Sequence, residues 1–556
     1  MPSNLHLPFW PAHAPKHLWV PETHLYRNVE VSALRFPNKP LVIFYDTAIT
    51  YREFQRETEA IAGYLRNRLR VKKGDRVLLY MQNSPQFMAA FYGILRADAV
   101  VVPVNPMNLT QELRHYVSDS GAAVAFAAQE LLPRLQPLLG EGLEHIVVAT
   151  YSDSLRAPTD LKVPDFIAAP RVPPTDERCI AWADMLAANL APGPIEGGPE
   201  DLAVMPYTSG TTGYPKGCMH THRTTMFNTA SVWGTANQGS VGLSVLPMFH
   251  VTGMQANLNG AIYNAATIVL LPRWDRDAAA LCIQRYRVTG LALITAMVVD
   301  FMANPKLDQY DLSSVRRIAG GGAAMPEALA ALIENKLGLK YGEGYGMSET
   351  MAATHANPPD RPKRQCLGIP VFDVDSRIID PTTLQELPGG ETGEIVVHGP
   401  QVMLGYWRQA KATEGAFIQI DGKRFLRTGD LAYIDDEGYY FFVDRLKRMI
   451  NAAGFKVWPA EVEALLYQHP AILEACVIAS KDPRRGETVK ALVVLKLSHT
   501  GQVSEQQIID WAHDNMATYK SPRIVQFVQS LPKSGTGKVM WRALQEAENR
   551  TTPEAA

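Results

Sequence analysis

Four Ser and Thr hydroxyls, three glycines and a lysine fall within residues 207–217, YTSGTTGYPKG. Glycines let the backbone take positive φ and let amide N–H groups come close to a ligand. The hydroxyls add donors and the lysine a point charge. Together they are equipment for holding a polyphosphate. An apolar run at residues 202–205 precedes them, as a buried strand would. The spacing is not that of a G-x-x-x-x-G-K-[ST] loop. A polar turn between strands has the same composition, so the stretch alone leaves both readings open.

Other residues could serve a nucleotide. Glu349 sits in a glycine-rich turn, and Mg²⁺ typically combines one or two carboxylates with substrate phosphates; single acids in turns are also commonplace. Gly320, Gly321, Gly322 and Ala323 follow a strand-like segment and would admit a flat ligand, although the pattern is not G-x-G-x-x-G. Asp430 could accept hydrogen bonds from both ribose hydroxyls and Arg445 is a multi-donor fork; a surface salt bridge is the alternative. His250 lies in an apolar run, where histidines usually pack. Lys538 ends a Ser/Gly/Thr loop near the C-terminus, where a mobile basic tail is the usual answer.

Five stretches occur in one order: the 207–217 loop, GYGMSET at 344–350, TGD at 428–430, DRLK at 444–447 and PKSGTGK at 532–538. In this the chain resembles the adenylate-forming superfamily, which contains acyl-CoA synthetases, the adenylation domains of peptide synthetases and firefly luciferase. The match spans most of the chain. It implies that a carboxylate and ATP form an acyl-adenylate and pyrophosphate, and that the acyl group then passes to the thiol of coenzyme A. It places Thr208, Ser209, Gly210, Thr211, Thr212, Gly213 and Lys216 on the phosphates, and Mg²⁺ on Glu349 with Thr208 beside it. Gly322, Ala323, Gly344, Tyr345 and Gly346 would surround adenine, with Tyr345 stacked on it, and Ser348 would touch the α-phosphate. Asp430 and Arg445 would hold the ribose. Lys538 matches the adenylation lysine, Lys447 the hinge, and Gly454 the loop that enters the site for the second half-reaction. His250 would stand between the carboxylate site and the thiol tunnel, as a positioning or gating residue.

The acyl pocket implied in this way comprises Val251, Thr252, Met254, Ile294, Ala296, Met297, Gly321, Gly322 and Met347. These are small or apolar, with no charge, which suits an uncharged acyl chain. The texture resembles medium- and long-chain fatty-acid ligases. An aryl acid such as a benzoate or cinnamate, or transfer to a carrier protein, are the alternatives.

The elements that must carry these residues follow from pattern. A chain of 556 residues is too long for one core. Hydrophobic content of 46% and charged content of 20% are those of an ordinary globular protein. A net charge of −2 makes no case for nucleic acid or an anionic membrane. The five cysteines form no C-x-x-C pair, which argues against a zinc site or disulfide framework and for a cytoplasmic compartment. Apolar runs such as 291–303 are too short to span a bilayer. A homodimer is compatible with all of this.

Short apolar strands at 76–81, 99–104, 122–126 and 145–149, with helical segments between, predict a mainly parallel sheet covered by helices. Ser84 and Pro85 mark a helix start. Residues 151–200, broken by eight prolines, read as a surface excursion. From about residue 376 short strands between Gly and Asp turns predict a small antiparallel β unit, and the resemblance implies that it is a barrel ahead of the hinge. The expectation is an α/β protein: an N-terminal body over 1–446 that ends in the barrel, and a mobile α+β domain over 447–556.

Overall fold

The structure is a computed structural model that describes residues 4–12, 14–208, 214–231, 237–322, 325–452, 455–482, 486–534 and 538–551. By compactness the chain divides into two units. The larger holds residues 6–375 and 397–426; the smaller holds 376–396 and 427–556, with the first five residues. Lys447, the expected hinge, thus lies inside the smaller unit.

The larger unit is built on two sheets. One has seven strands in the order His220–Thr221, Leu202–Val204, Val100–Pro103, Arg76–Tyr80, Val124–Ala128, His145–Ala149 and Cys179–Ala181. All its pairs but the first are parallel. The other has nine strands, and its centre runs Tyr341–Met347, Arg317–Gly321, Gly290–Ala292, Val241–Ser244, Thr267–Leu270 and Pro40–Phe44, all parallel. The expected α/β body is therefore present. Helix Pro85–Arg96 is buried along its whole length. It begins as its sequence predicts, with Ser84 Oγ accepting from Phe87 N at 3.0 Å and proline in the first turn.

One expectation needs correction. Residues 151–200 are more than a surface excursion: Cys179–Ala181 is the edge strand of the seven-stranded sheet and Trp182–Ala187 a helix against the core. Three apolar residues suffice for an edge strand but are hidden among prolines. Strand Val241–Ser244 stops short of Leu246, whose O accepts from Asn83 Nδ2.

In the smaller unit the β segment past residue 376 is a half-barrel of antiparallel strands. Lys423–Ile434 pairs with Tyr440–Arg445 so that Asp430 stands opposite Arg445. Further on, Ile472–Asp482 and Gly486–Leu495 form an antiparallel pair covered by helices Pro459–Leu466 and Glu505–Asn515, with Val462, Leu466, Ile508 and Ala512 in the core. Ser504 closes a capping box with Gln507 at the start of the second helix. Among the described residues no helix is long and apolar enough to cross a membrane, and all five cysteines are buried.

Candidate active site

In the larger unit the glycine-rich loop is carried by a short hairpin. Strands Tyr207–Thr208 and Lys216–Gly217 are antiparallel, with Thr208 opposite Lys216. Ser209, Gly210, Thr211, Thr212 and Gly213 lie outside the described residues. Helix Thr110–Ser120 buttresses both strands through side chains one turn apart. Tyr207 Oη donates to Asp119 Oδ2 at 2.6 Å, and His115 Nε2 donates to Pro215 O at 2.7 Å. Tyr214 stacks on the His115 ring at 4.8 Å.

Beyond the hairpin the chain pairs with a segment about 190 positions later. Trp407 N donates to Gly217 O, Met219 N to Gly405 O and Leu404 N to Met219 O, all within 3.0 Å. Glu349 is drawn in by the same segment, because Met403 N donates to Glu349 O at 2.8 Å. The turn Ser348–Thr350 lies alongside Tyr207–Thr208. His220 supports that turn: its Nε2 donates to Ser348 O at 2.8 Å, and burial lowers its pKa to about 4 and keeps the ring neutral. Thr208, Lys216, Ser348 and Glu349 are thereby brought together on one side of the unit. Among the described residues no cluster of three or more His, Cys, Asp or Glu could cage a metal. One carboxylate and one hydroxyl fit an Mg²⁺ held chiefly by substrate phosphates.

On strand Tyr341–Met347 alternate residues share a face, so Glu343, Tyr345 and Met347 are together. Tyr345 stands opposite His355, with ring centroids 5.6 Å apart. Sequence reading passed over Glu343. It is buried, accepts from Gln365 N at 3.1 Å, and borders a cavity of about 240 Å³. Burial raises its carboxyl to about 7 against the backbone N–H groups of Met325 and Gln365. The available signal was an acid inside a strand-like segment.

The glycines at 320–322 serve the sheet as well as any ligand. A Cβ on Gly321 would lie 2.3 Å from Gly344 O, and Gly322 holds φ +88°, a conformation side chains rarely adopt. Ala323 lies outside the described residues. In the pocket region His250 caps the helix that follows, its Nδ1 accepting from Thr252 N at 3.3 Å. Thr252 is half-buried and Ala256 exposed, whereas Val251 and Met254 are enclosed in the core at 1% and 0% exposure. A π-helical stretch, Met254–Asn259, continues the helix. Ile294 precedes helix Thr295–Met302, on which Ala296 is exposed and Met297 half-buried.

The smaller unit brings together Asp430, Arg445 and Lys538. Arg445 Nε is 3.0 Å from Asp430 Oδ1. Lys538 keeps solvent access, yet the chain packed around its ammonium, and next Arg445, lower its pKa against the opposing pull of Asp430. Lys447 sits in the turn Leu446–Arg448; Gly454 lies outside the described residues. Asp444 Oδ2 accepts from Ala460 N at 2.6 Å, joining the residues on either side of that turn.

The model of the AMP-binding enzyme family matches residues 29–407, and that of the AMP-binding enzyme C-terminal domain matches 461–538. The chain belongs to the AMP-binding enzyme family. As a member it is an adenylate-forming, AMP-forming acyl-CoA ligase, an acid–thiol ligase whose substrates are ATP, a carboxylic acid and coenzyme A. It is 33% identical over 555 residues to a long-chain-fatty-acid–CoA ligase of Bacillus subtilis (strain 168), covering 97% of each chain. It is 32% identical over 548 residues to 4-coumarate–CoA ligase 2 of Oryza sativa subsp. japonica, covering 96% of this chain and 92% of that one. The solved structure of the anthranilate CoA ligase AuaEII in complex with anthranoyl-AMP superposes with a TM-score of 0.81 at 26% identity, covering 96% of this chain and 98% of the other.

Proposed function

We propose that this ligase activates a medium- or long-chain fatty acid and works in the cytoplasm. The observation that carries the acyl preference is the chemistry of the pocket positions that keep solvent access. Thr252, Ile294, Ala296 and Met297 carry no charge, so the acyl group they receive is held by apolar burial. The Bacillus subtilis relative supports the same reading. An aryl acid is the second reading, favoured by the rice 4-coumarate relative and the anthranilate ligase.

In the first half-reaction the carboxylate oxygen attacks the α-phosphorus of ATP and pyrophosphate leaves. The hairpin from Thr208 to Lys216 cradles the departing phosphates, with Ser348 on the α-phosphate and Tyr345 on adenine. Glu349 and Thr208 would hold Mg²⁺, which supplies charge neutralisation on the phosphates. Lys538 neutralises the charge that grows at the α-phosphate, the electrostatic stabilisation on which nucleotidyl transfer chiefly depends. Asp430 and Arg445 hold the ribose.

In the second half-reaction the coenzyme A thiolate attacks the acyl carbon and AMP leaves with the bonding pair. His250 positions the acyl carboxyl at this junction. The domain over 447–556 turns about Lys447 between the halves, and the loop at Gly454 then lines the thiol path.

The test is pyrophosphate release across a carboxylic-acid panel, with and without coenzyme A. Release and thioester formation strongest with octanoate to hexadecanoate are expected. Release strongest with benzoate or cinnamate moves the assignment to the aryl reading, and thioester only on a carrier protein removes coenzyme A as acceptor.

A further inference from the structure

Tyr406 occupies a place that the reaction scheme leaves unused. Its hydroxyl donates to Glu349 Oε1 at 3.0 Å, and the Lys216 ammonium lies 5.0 Å from the centroid of its ring. A single side chain therefore touches the acid and the cation assigned to the phosphate end of ATP. The ring is held from both directions along the chain. Cys218 and Tyr406 form an antiparallel bridge, flanked by the bonds Trp407 N to Gly217 O and Met219 N to Gly405 O. Tyr406 N donates to Thr413 Oγ1 at 2.9 Å, and Met403 N holds the backbone of Glu349.

The chemistry of this position is specific. An ionised carboxylate only accepts, so the phenol O–H fixes one of its oxygens and with it the rotamer of Glu349. A cation is drawn to the ring face without forming a bond to a single atom. One side chain thus carries Glu349 at its hydroxyl and Lys216 at its ring. A lysine paired directly to that acid would be lost to the phosphates, and the acid to the metal.

We propose that Tyr406 is a positioning residue, which aims Glu349 at the metal and keeps Lys216 available to the phosphates. This rests on the ATP-site reading given above. Hydrogen-bonded partners of metal-binding carboxylates typically change metal affinity by roughly 10–100-fold when removed. Tyr406→Phe deletes the bond to Glu349 and keeps the ring; Tyr406→Leu deletes both.

The experiment measures Mn²⁺ affinity by electron paramagnetic resonance in the presence of α,β-methylene-ATP, beside the rates of each half-reaction and thermal melting. For Tyr406→Phe we expect metal affinity to fall about 10-fold or more, with an unchanged melting temperature. Thioester formation from pre-made acyl-adenylate should stay within about twofold of wild type, because that step involves neither the metal nor the departing phosphates. Tyr406→Leu should add a further rise in the KM for ATP. Wild-type metal affinity in Tyr406→Phe overturns the proposal, as does equal loss in both half-reactions. A wild-type protein that releases no pyrophosphate with any acid, yet loses Mn²⁺ affinity on Tyr406→Phe, supports this role and overturns the acyl-activation reading instead.

Discussion

Asp430 and Arg445 face one another across an antiparallel strand pair, with Nε and Oδ1 3.0 Å apart. The aspartate side chain is 4% exposed and the arginine 54%. An enclosed carboxylate beside a solvent-reaching fork is the arrangement that can accept from a pair of vicinal hydroxyls. Strand register creates it, since the two lie 15 positions apart in the chain. Charge-assisted hydrogen bonds contribute about 1.5–3 kcal/mol, so Asp430→Ala should lower kcat/KM for ATP by roughly 10–100-fold. Wild type should also discriminate against 2′- and 3′-deoxy-ATP, and the variant should not. A variant that discriminates as wild type does would remove Asp430 from the ribose.

Lys538→Ala should abolish adenylation and spare thioester formation from pre-made acyl-adenylate, as single-turnover assays of each half would read. A pH dependence follows from its surroundings. Packed chain and Arg445 lower the Lys538 pKa despite Asp430. A lysine lowered in this way sheds its proton below the ordinary value of about 10.4. If adenylation needs the ammonium, pyrophosphate release is full on the acid side and falls as pH rises through the lowered value. Lys538→Arg stays charged throughout and should lose that alkaline limb. A limb that persists unchanged in Lys538→Arg belongs to another group.

The acyl preference is read from chain length. Each buried methylene contributes about 0.8 kcal/mol, roughly fourfold. Hence kcat/KM should climb over several carbons from butanoate and then level, with aromatic acids below the best fatty acid. Enlarging Gly322 is a poor probe of the channel, because φ +88° strains any side chain there. Thr252→Phe is the better one: Thr252 is half-buried on a regular helical turn, and overfilling a pocket is costly. It should shorten the preferred chain. A flat series with benzoate or cinnamate on top would overturn the fatty-acyl assignment and leave the adenylation chemistry standing.

Asp98 should set an acid limit on stability. It is enclosed at 4% exposure. Burial raises its pKa, but the His24 imidazole 3.4 Å away and bonds from the N–H groups of Glu196 and Gly197 outweigh burial and bring it down to about 2. The folded value is depressed below the ordinary 3.8, so the stability it contributes is present above 3.8 and lost as pH falls through 3.8 toward 2. Its size is about 2 kcal/mol. Melting of wild type and Asp98→Asn from pH 7 to pH 3 should show a gap that narrows below pH 4; a gap independent of pH would assign the effect to packing.

Much of this protein is legible along the chain. The hairpin around Thr208 to Lys216, the helix start at Ser84 and Pro85, the run of parallel strands and the five ordered stretches all depend on residues close in sequence. Glycine content, capping hydroxyls and alternation act over a few bonds, so their consequences can be read where they are written. The tertiary structure decided the rest. It set Tyr406 against Glu349, 57 positions away, and Lys216 over the same ring. It enclosed Met254 in the core while leaving Ala256 accessible on the same helix, made Cys179–Ala181 an edge strand, and gave Gly322 its positive φ. It also placed Lys538 with Asp430 and Arg445. These depend on which surfaces meet when the whole chain folds. Closing a loop of a hundred residues costs little more than closing one of fifty, so sequence separation does not say which distant residues will touch; only the packing of the completed core selects them.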